Sequence, residues 1–291
     1  MRDRENENNI RSRMLFCERS PITYKISRCK CIALRSLQDL VSAEKFARGR
    51  TAERLPVLVY EHKSLIRRML GNVDAQLQEN KAVNLALAAP KVTGILIKPG
   101  ETFSFWKLVG SPSRRKGYRT GLAIKKGEPS QGIGGGMCQF TNLIHWMVLH
   151  TPLDIVEHHH HDQMDLFPDY GRQVPFGTGT SIYYNYLDYR VRNNTDQPFQ
   201  LIVYITERYL CGEIRTTQPL AFRYHIKCED EFFSREDETV YRNNKIYRIT
   251  TDKKTGNIIS KEVIKTNHAR VMYDTSNLPI SASKGHCNFE Q

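Results

Sequence analysis

The chain reads as an α+β protein: a predominantly antiparallel sheet packed with a central helix starting at Cys138, plus N-terminal helices. Three observations lead there. Phe140, Leu143, Ile144, Met147 and Val148 fall at i, i+3, i+4, i+7 and i+8, one buried stripe of a helix that Pro152 stops. Beyond it, segments rich in Ile, Val and Tyr alternate with turn residues, as short strands do. Before residue 90 the apolar spacing is helical.

Taken in order, residues 1–35 are basic and polar without clear periodicity and read as an irregular N-terminal segment. Residues 36–90 form a helical region, most clearly over 82–89, where Ala and Leu dominate ahead of the breaker Pro90. An α+β domain occupies 91–215. It opens with a strand over 92–97, a turn at Pro99-Gly100, and alternation through Phe103 and Phe105. After the central helix, strands are expected over 153–161, 181–192 and 199–207, with Asn193-Asn194-Thr195-Asp196 as a turn. Residues 216–291 form a β-rich extension, in which Lys254-Thr255-Gly256-Asn257 joins strands over 245–251 and 258–266.

Composition narrows the classes of function. The 43 Lys and Arg against 31 Asp and Glu give a net charge of +12, which suits an anionic partner such as nucleic acid, anionic lipid or cell-wall polymer. The basic residues are scattered and no nucleic-acid motif accompanies them, so a solvated basic surface is the plainer reading and no specific nucleic-acid partner is expected. Seven cysteines (17, 29, 31, 138, 211, 228 and 287) at irregular intervals argue against a disulfide framework. Cys29 and Cys31 have no second pair at zinc-ligand spacing. No apolar run reaches signal-peptide or membrane-span length, so a cytoplasmic location is expected.

The chemistry centres on Gly134-Gly135-Gly136, which deliver Cys138 to the start of the central helix. At about 100° per residue, Cys138 projects roughly 160° from the buried stripe, on the side of Asn142 and His145. Unpaired N–H groups at a helix start stabilise a thiolate or an adjacent oxyanion. The alternative is a buried, inert cysteine. A thiol nucleophile needs a base, and His145 lies roughly 10 Å along the axis, too far to serve directly. The run His158-His159-His160-His161 follows Glu157 at a strand end; alternation pairs His159 with His161 and His158 with His160. Three readings stand: one pair holds a base, one pair binds zinc with an unnamed third ligand, or all are hydrogen-bonded histidines at a strand end.

The succession Pro99-Gly100-Glu101-Thr102-Phe103-Ser104-Phe105, Gly117-Tyr118, Gly134-Gly135-Gly136-Met137-Cys138-Gln139, Glu157 with His159 and His161, and Asp188 to Asn193 resembles the VanW family over about residues 88–210. Gln78-Glu79-Asn80-Lys81 and Asn267-His268-Ala269-Arg270-Val271 extend the likeness into the flanks. The resemblance implies a link to peptidoglycan or glycopeptide resistance, and a cysteine-dependent acyl transfer like that of L,D-transpeptidases. Cys138 would attack a carbonyl of a peptidoglycan stem peptide or precursor, and His159 and His161 would move the protons. Gly135, Gly136, Gln139 and Tyr118 would serve the oxyanion and the substrate, with neither metal nor cofactor. Two alternatives accompany it: a non-catalytic module binding cell-wall precursors or glycopeptide in a groove lined by Phe103, Phe105, Trp106 and Tyr118, and a zinc-dependent hydrolase using the histidine run. The sequence departs from the family pattern twice: His158 stands where an arginine usually precedes the histidine motif, and Gly171-Arg172-Gln173-Val174 replaces Gly-x-Asp-Ala. A carboxylate orienting the base would then come from Glu157, Asp162 or Asp169.

Overall fold

A computed structural model describes residues 15–67, 74–125, 128–160, 164–169, 173–184 and 186–280. The chain divides into two compact units, Met1–Ala43 and Glu44–Gln291. In the first, α1 (Pro21–Val41) is a 21-residue helix where an irregular segment is expected through residue 35. Its cause is local: the Ser20 hydroxyl accepts from the Thr23 N–H at 3.1 Å, and Pro21 is pre-set for the first helical position.

The second unit begins with β1 (Lys45–Phe46), β2 (Val57–Leu65) and α2 (Ala75–Val92). β3 (Ile95–Ile97), β4 (Glu101–Ser104) and α3 (Phe105–Val109) follow, then the hairpin β5 (Thr120–Lys125) and β6 (Glu128–Ile133). α4 (Met137–Leu149) leads to β7 (Asp154–Glu157), β8 (Met164–Asp165), β9 (Arg190–Arg192), β10 (Phe199–Ile205) and β11 (Tyr209–Thr216). Three long strands close the unit: β12 (Phe222–Glu236), β13 (Thr239–Asp252) and β14 (Ile258–Val271). The sheets run β1-β4-β9-β7, β2-β11-β10-β3 and β12-β13-β14-β8, beside the β5-β6 hairpin. Among the described strands pairing is antiparallel except at β1-β4 and β8-β14. This is an α+β fold with mainly antiparallel sheets.

Three expectations need correction. The region 36–90 is not helical throughout, because β2 pairs along β11 from Val57↔Thr216 to Leu65↔Tyr209. Val57, Val59 and Tyr60 suit an extended backbone, and the tertiary pairing outweighs the weak helical spacing. Pro90 does not stop α2, which continues to Val92; the ring removes the hydrogen bond that residue 90 would give to the Ala86 carbonyl, but only two helical residues follow it. The strand expected over 181–192 contracts to β9, with an isolated bridge between Tyr183 and Leu187 before it.

α4 packs on β2 and β11, while α2 packs on β10 and β5. All five residues of the α4 stripe are buried, each contributing roughly 1.5–3 kcal/mol of apolar transfer. On the third sheet Arg242 is almost fully buried and ties distant segments together. Its Nε donates to Glu231 at 2.7 Å, Nη1 to Asp165 at 3.3 Å, and Nη2 to Asp169. Its guanidinium also faces the Phe176 ring at 4.7 Å. Burial works against the charge, yet Asp169 and Glu231 overcome it and hold the Arg242 pKa above its ordinary value.

Replacing Arg242 by Met strips that cation from three carboxylates, and loss of one partner from a buried ion cluster costs about 3–5 kcal/mol. Urea unfolding should show the Arg242→Met midpoint falling accordingly, whereas Asp169→Asn, at a partly exposed partner, loses far less.

Candidate functional site

The turn ahead of α4 is built by close backbone approach. Gly134 and Gly136 have φ of 77° and 100°, a region that favours glycine. Gly135 needs its missing side chain for space: a Cβ there would lie 2.3 Å from the Gly121 carbonyl carbon. Asn84, fully buried on α2, fixes the arrangement. Its Nδ2 donates to the carbonyls of Gly135 at 2.9 Å and Arg119 at 3.0 Å, and its Oδ1 accepts from the Arg119 N–H at 2.7 Å. The Lys81 stem fills the space above Gly136.

Gly136 caps α4 without a side-chain hydrogen bond, and Cys138 is the second residue of the helix. It lies on the face opposite the buried stripe. That face is covered by the segment around Thr178–Ile182: the Asn142 Oδ1 accepts from the Thr180 N–H at 2.6 Å and its hydroxyl at 2.8 Å. The Thr141 and Thr180 hydroxyls share a hydrogen bond, and both approach the Cys138 carbonyl, at 3.2 and 3.5 Å. The residue is half-buried. Burial pushes the thiol pKa up, while main-chain hydrogen bonding from Ile182 and from Cys138 itself pulls it down. Desolvation is the larger effect, so the resting thiol is neutral.

The histidines divide between two environments. His158 stacks on His145, with ring centroids 4.3 Å apart, and its Nε2 donates to the Gly179 carbonyl at 2.9 Å. His160 sits beside it: a methyl at Gly179 would lie 3.3 Å from His160 Nε2 and 3.7 Å from Asn142 Oδ1. His160 therefore reaches the helix face one turn beyond Cys138. His145 is buried and hydrogen-bonds the Tyr189 hydroxyl at 3.1 Å. Burial, then the charges of His158 and His160, drives its pKa well below the ordinary imidazole value. His159 is held elsewhere, its Nε2 at 3.0 Å from Glu157. Glu157 also accepts from the Asp188 N–H at 2.8 Å and pairs with Arg190 at 3.4 Å. His161 lies outside the described residues, as do Asp162, Gly171 and Arg172.

Other residues singled out from the sequence have structural partners. The Gly135 N–H donates to the Gly132 carbonyl at 3.1 Å, so it is spent within the turn. The Gln139 amide donates to the Ser64 hydroxyl at 2.9 Å and the Leu65 carbonyl at 2.8 Å, joining α4 to β2. Tyr118 is buried and its hydroxyl accepts from Lys91 at 3.2 Å. Phe103, Phe105 and Trp106 belong to the same buried core cluster as Tyr118. Asp169 is engaged by Arg242. Among the described residues no three His, Cys, Asp or Glu side chains gather as a metal site.

Sequence reading missed the segment that covers Cys138. It is positioned from the third sheet: the Phe176 carbonyl accepts from Asn244 at 3.0 Å and Asn267 at 3.4 Å, and Gly177, with φ of 90°, lies where any Cβ would strike the Asn267 amide. The run Gly177-Thr178-Gly179-Thr180-Ser181, small and without periodicity, was the available signal.

Two outcomes follow from this geometry. Iodoacetamide labelling with peptide mapping should find Cys138 lagging behind the exposed Cys29 and Cys31 at neutral pH and accelerating as pH rises, because burial raises its pKa. Gly135→Ala forces two backbones apart and should lower stability by roughly 1–3 kcal/mol in thermal or urea unfolding.

Known proteins are similar to this chain over the same region. The family model described as "VanW like protein" matches residues 80–215, which include Asn84, the glycine turn, α4 and the histidine run. The chain is 34% identical over 219 residues to the vancomycin B-type resistance protein VanW of Enterococcus faecalis (strain ATCC 700802 / V583), covering 75% of this chain and 79% of that protein. It is also 32% identical over 120 residues to the uncharacterized protein YoaR of Bacillus subtilis (strain 168), covering 41% of this chain and 38% of that one. No solved structure matches. The family-model match over residues 80–215 and 34% identity across three quarters of its length place the chain in the VanW family.

Proposed function

We propose that this protein acts on cell-wall peptides, in the setting of glycopeptide resistance, and that Cys138 forms a thioester with an acyl group of a peptidoglycan stem peptide or precursor. The observation that carries the reading is the placement of the thiol: second in a helix whose N-cap makes no side-chain hydrogen bond, on the helix side where His158 stacks on His145 and bonds the Gly179 carbonyl. The name of the Enterococcus relative, a vancomycin resistance protein, supports the setting.

In this reading the thiol proton passes to His160 as the sulfur attacks the amide carbonyl carbon. N–H groups of the first turn of α4 receive the oxyanion. The C–N bond then breaks, and the imidazole returns the proton to the departing amine. An acceptor amine attacks the thioester and gives its proton to the imidazole, which passes it to the sulfur as the C–S bond breaks and the thiol is restored. A second reading, binding of precursors without turnover, is favoured by the raised pKa of the resting thiol.

Incubation with a synthetic stem peptide and an amine acceptor, followed by intact-mass spectrometry, separates the two. Wild-type protein should carry an acyl adduct on Cys138 and yield amine-exchanged peptide. Cys138→Ala should give neither, and His160→Gln should slow exchange by about 10²–10⁴-fold. Exchange by Cys138→Ala at the wild-type rate would sink the thioester mechanism. Equal peptide binding by wild type and Cys138→Ser, with turnover by neither, would establish the binding role instead.

A further inference from the structure

We infer that α1 is an interfacial helix that lies flat on an anionic lipid bilayer. This inference is independent of the thioester reading and rests on the first unit alone. Ile22, Ile26, Cys29, Ala33, Leu37 and Leu40 fall within about 80° of one another at ~100° per residue, and all six are exposed. Leu34 and Val41 widen the apolar arc on one side, and Leu15 and Phe16, exposed just ahead of the helix, add to the apolar surface.

The charges select the occupant of this face. The helix carries Lys25, Arg28, Lys30 and Arg35 against a single acid, Asp39, which Arg35 engages at 3.5 Å. Relative to the line through Ile22 and Leu40, Lys25 lies about 60° to one side and Lys30 about 80° to the other. Such flanking lysines lay their stems along an apolar surface and reach outward to lipid phosphates. A low overall hydrophobicity, a strong apolar face and basic residues on the polar side are the features of helices that lie in the membrane interface. Twenty-one residues are long enough to span a bilayer, but α1 is not apolar enough to cross, and its five charged residues suit the plane of the membrane.

A second copy of the chain fits this face poorly. A heptad seam through Ile22, Ile26 and Leu40 would put Cys29, Ala33 and Ser36 at three successive core positions, giving little apolar volume. Lys25 and Lys30 would line both edges of that seam with like charge.

The test is co-sedimentation of the full chain, under reducing conditions, with vesicles of phosphatidylglycerol and phosphatidylcholine or of phosphatidylcholine alone. Binding should be at least about tenfold stronger to the anionic vesicles and should weaken as salt rises. Because a basic protein adheres to anionic lipid through charge alone, the decisive variant is Leu37→Glu with Leu40→Glu. It should lower binding at least tenfold while leaving the thermal melting of the protein unchanged, since neither side chain is buried. No binding to anionic vesicles at low salt, or equal binding by the double variant, would overturn the inference. So would a doubled mass in solution that the double variant reverses, without vesicle binding, since that identifies a second copy as the occupant.

Discussion

The head of α4 depends on Asn84, whose amide satisfies three main-chain groups at once across a contact with no room for a Cβ. Buried polar groups of this kind are expensive when unpaired and rigid when complete. Asn84 lies on α2, so the angle between α2 and the β5-β6 hairpin fixes where the glycine turn ends and where Cys138 begins. The five-residue stripe then fixes the rotation of the helix about its axis. Together the two constraints assign the face on which Cys138, Asn142 and His145 stand.

Burial dominates the electrostatics of that face. A helix start and main-chain hydrogen bonding favour a thiolate, yet desolvation leaves the thiol protonated, and the same effect keeps His145 neutral. At rest the site therefore holds a neutral thiol at Cys138 and a neutral buried imidazole at His145.

The central helix was legible because its stripe keeps the 3.6-residue period from Phe140 to Val148 and its start is marked by three glycines. Less visible was α1, whose Ser20-Pro21 start signal sits in a segment of polar, basic composition. The partition of the histidines illustrates a different limit. β7 ends at Glu157, so strand alternation does not extend to His158 and His160, whose rings lie 6.3 Å apart. No local pattern encodes that. The cover over Cys138 was illegible for a similar reason: small residues without periodicity take their position from Asn244 and Asn267, far along the chain.

Those two asparagines lie beyond residue 215, where the family match ends. The recognisable domain and the working assembly therefore have different borders. A fragment cut at the edge of the match would keep the thiol, its helix and the glycine turn, yet lose the amides that hold Phe176 and Gly177 in place. Any transplant or minimal version of this site has to carry the third sheet with it, as a gemstone is moved with its setting.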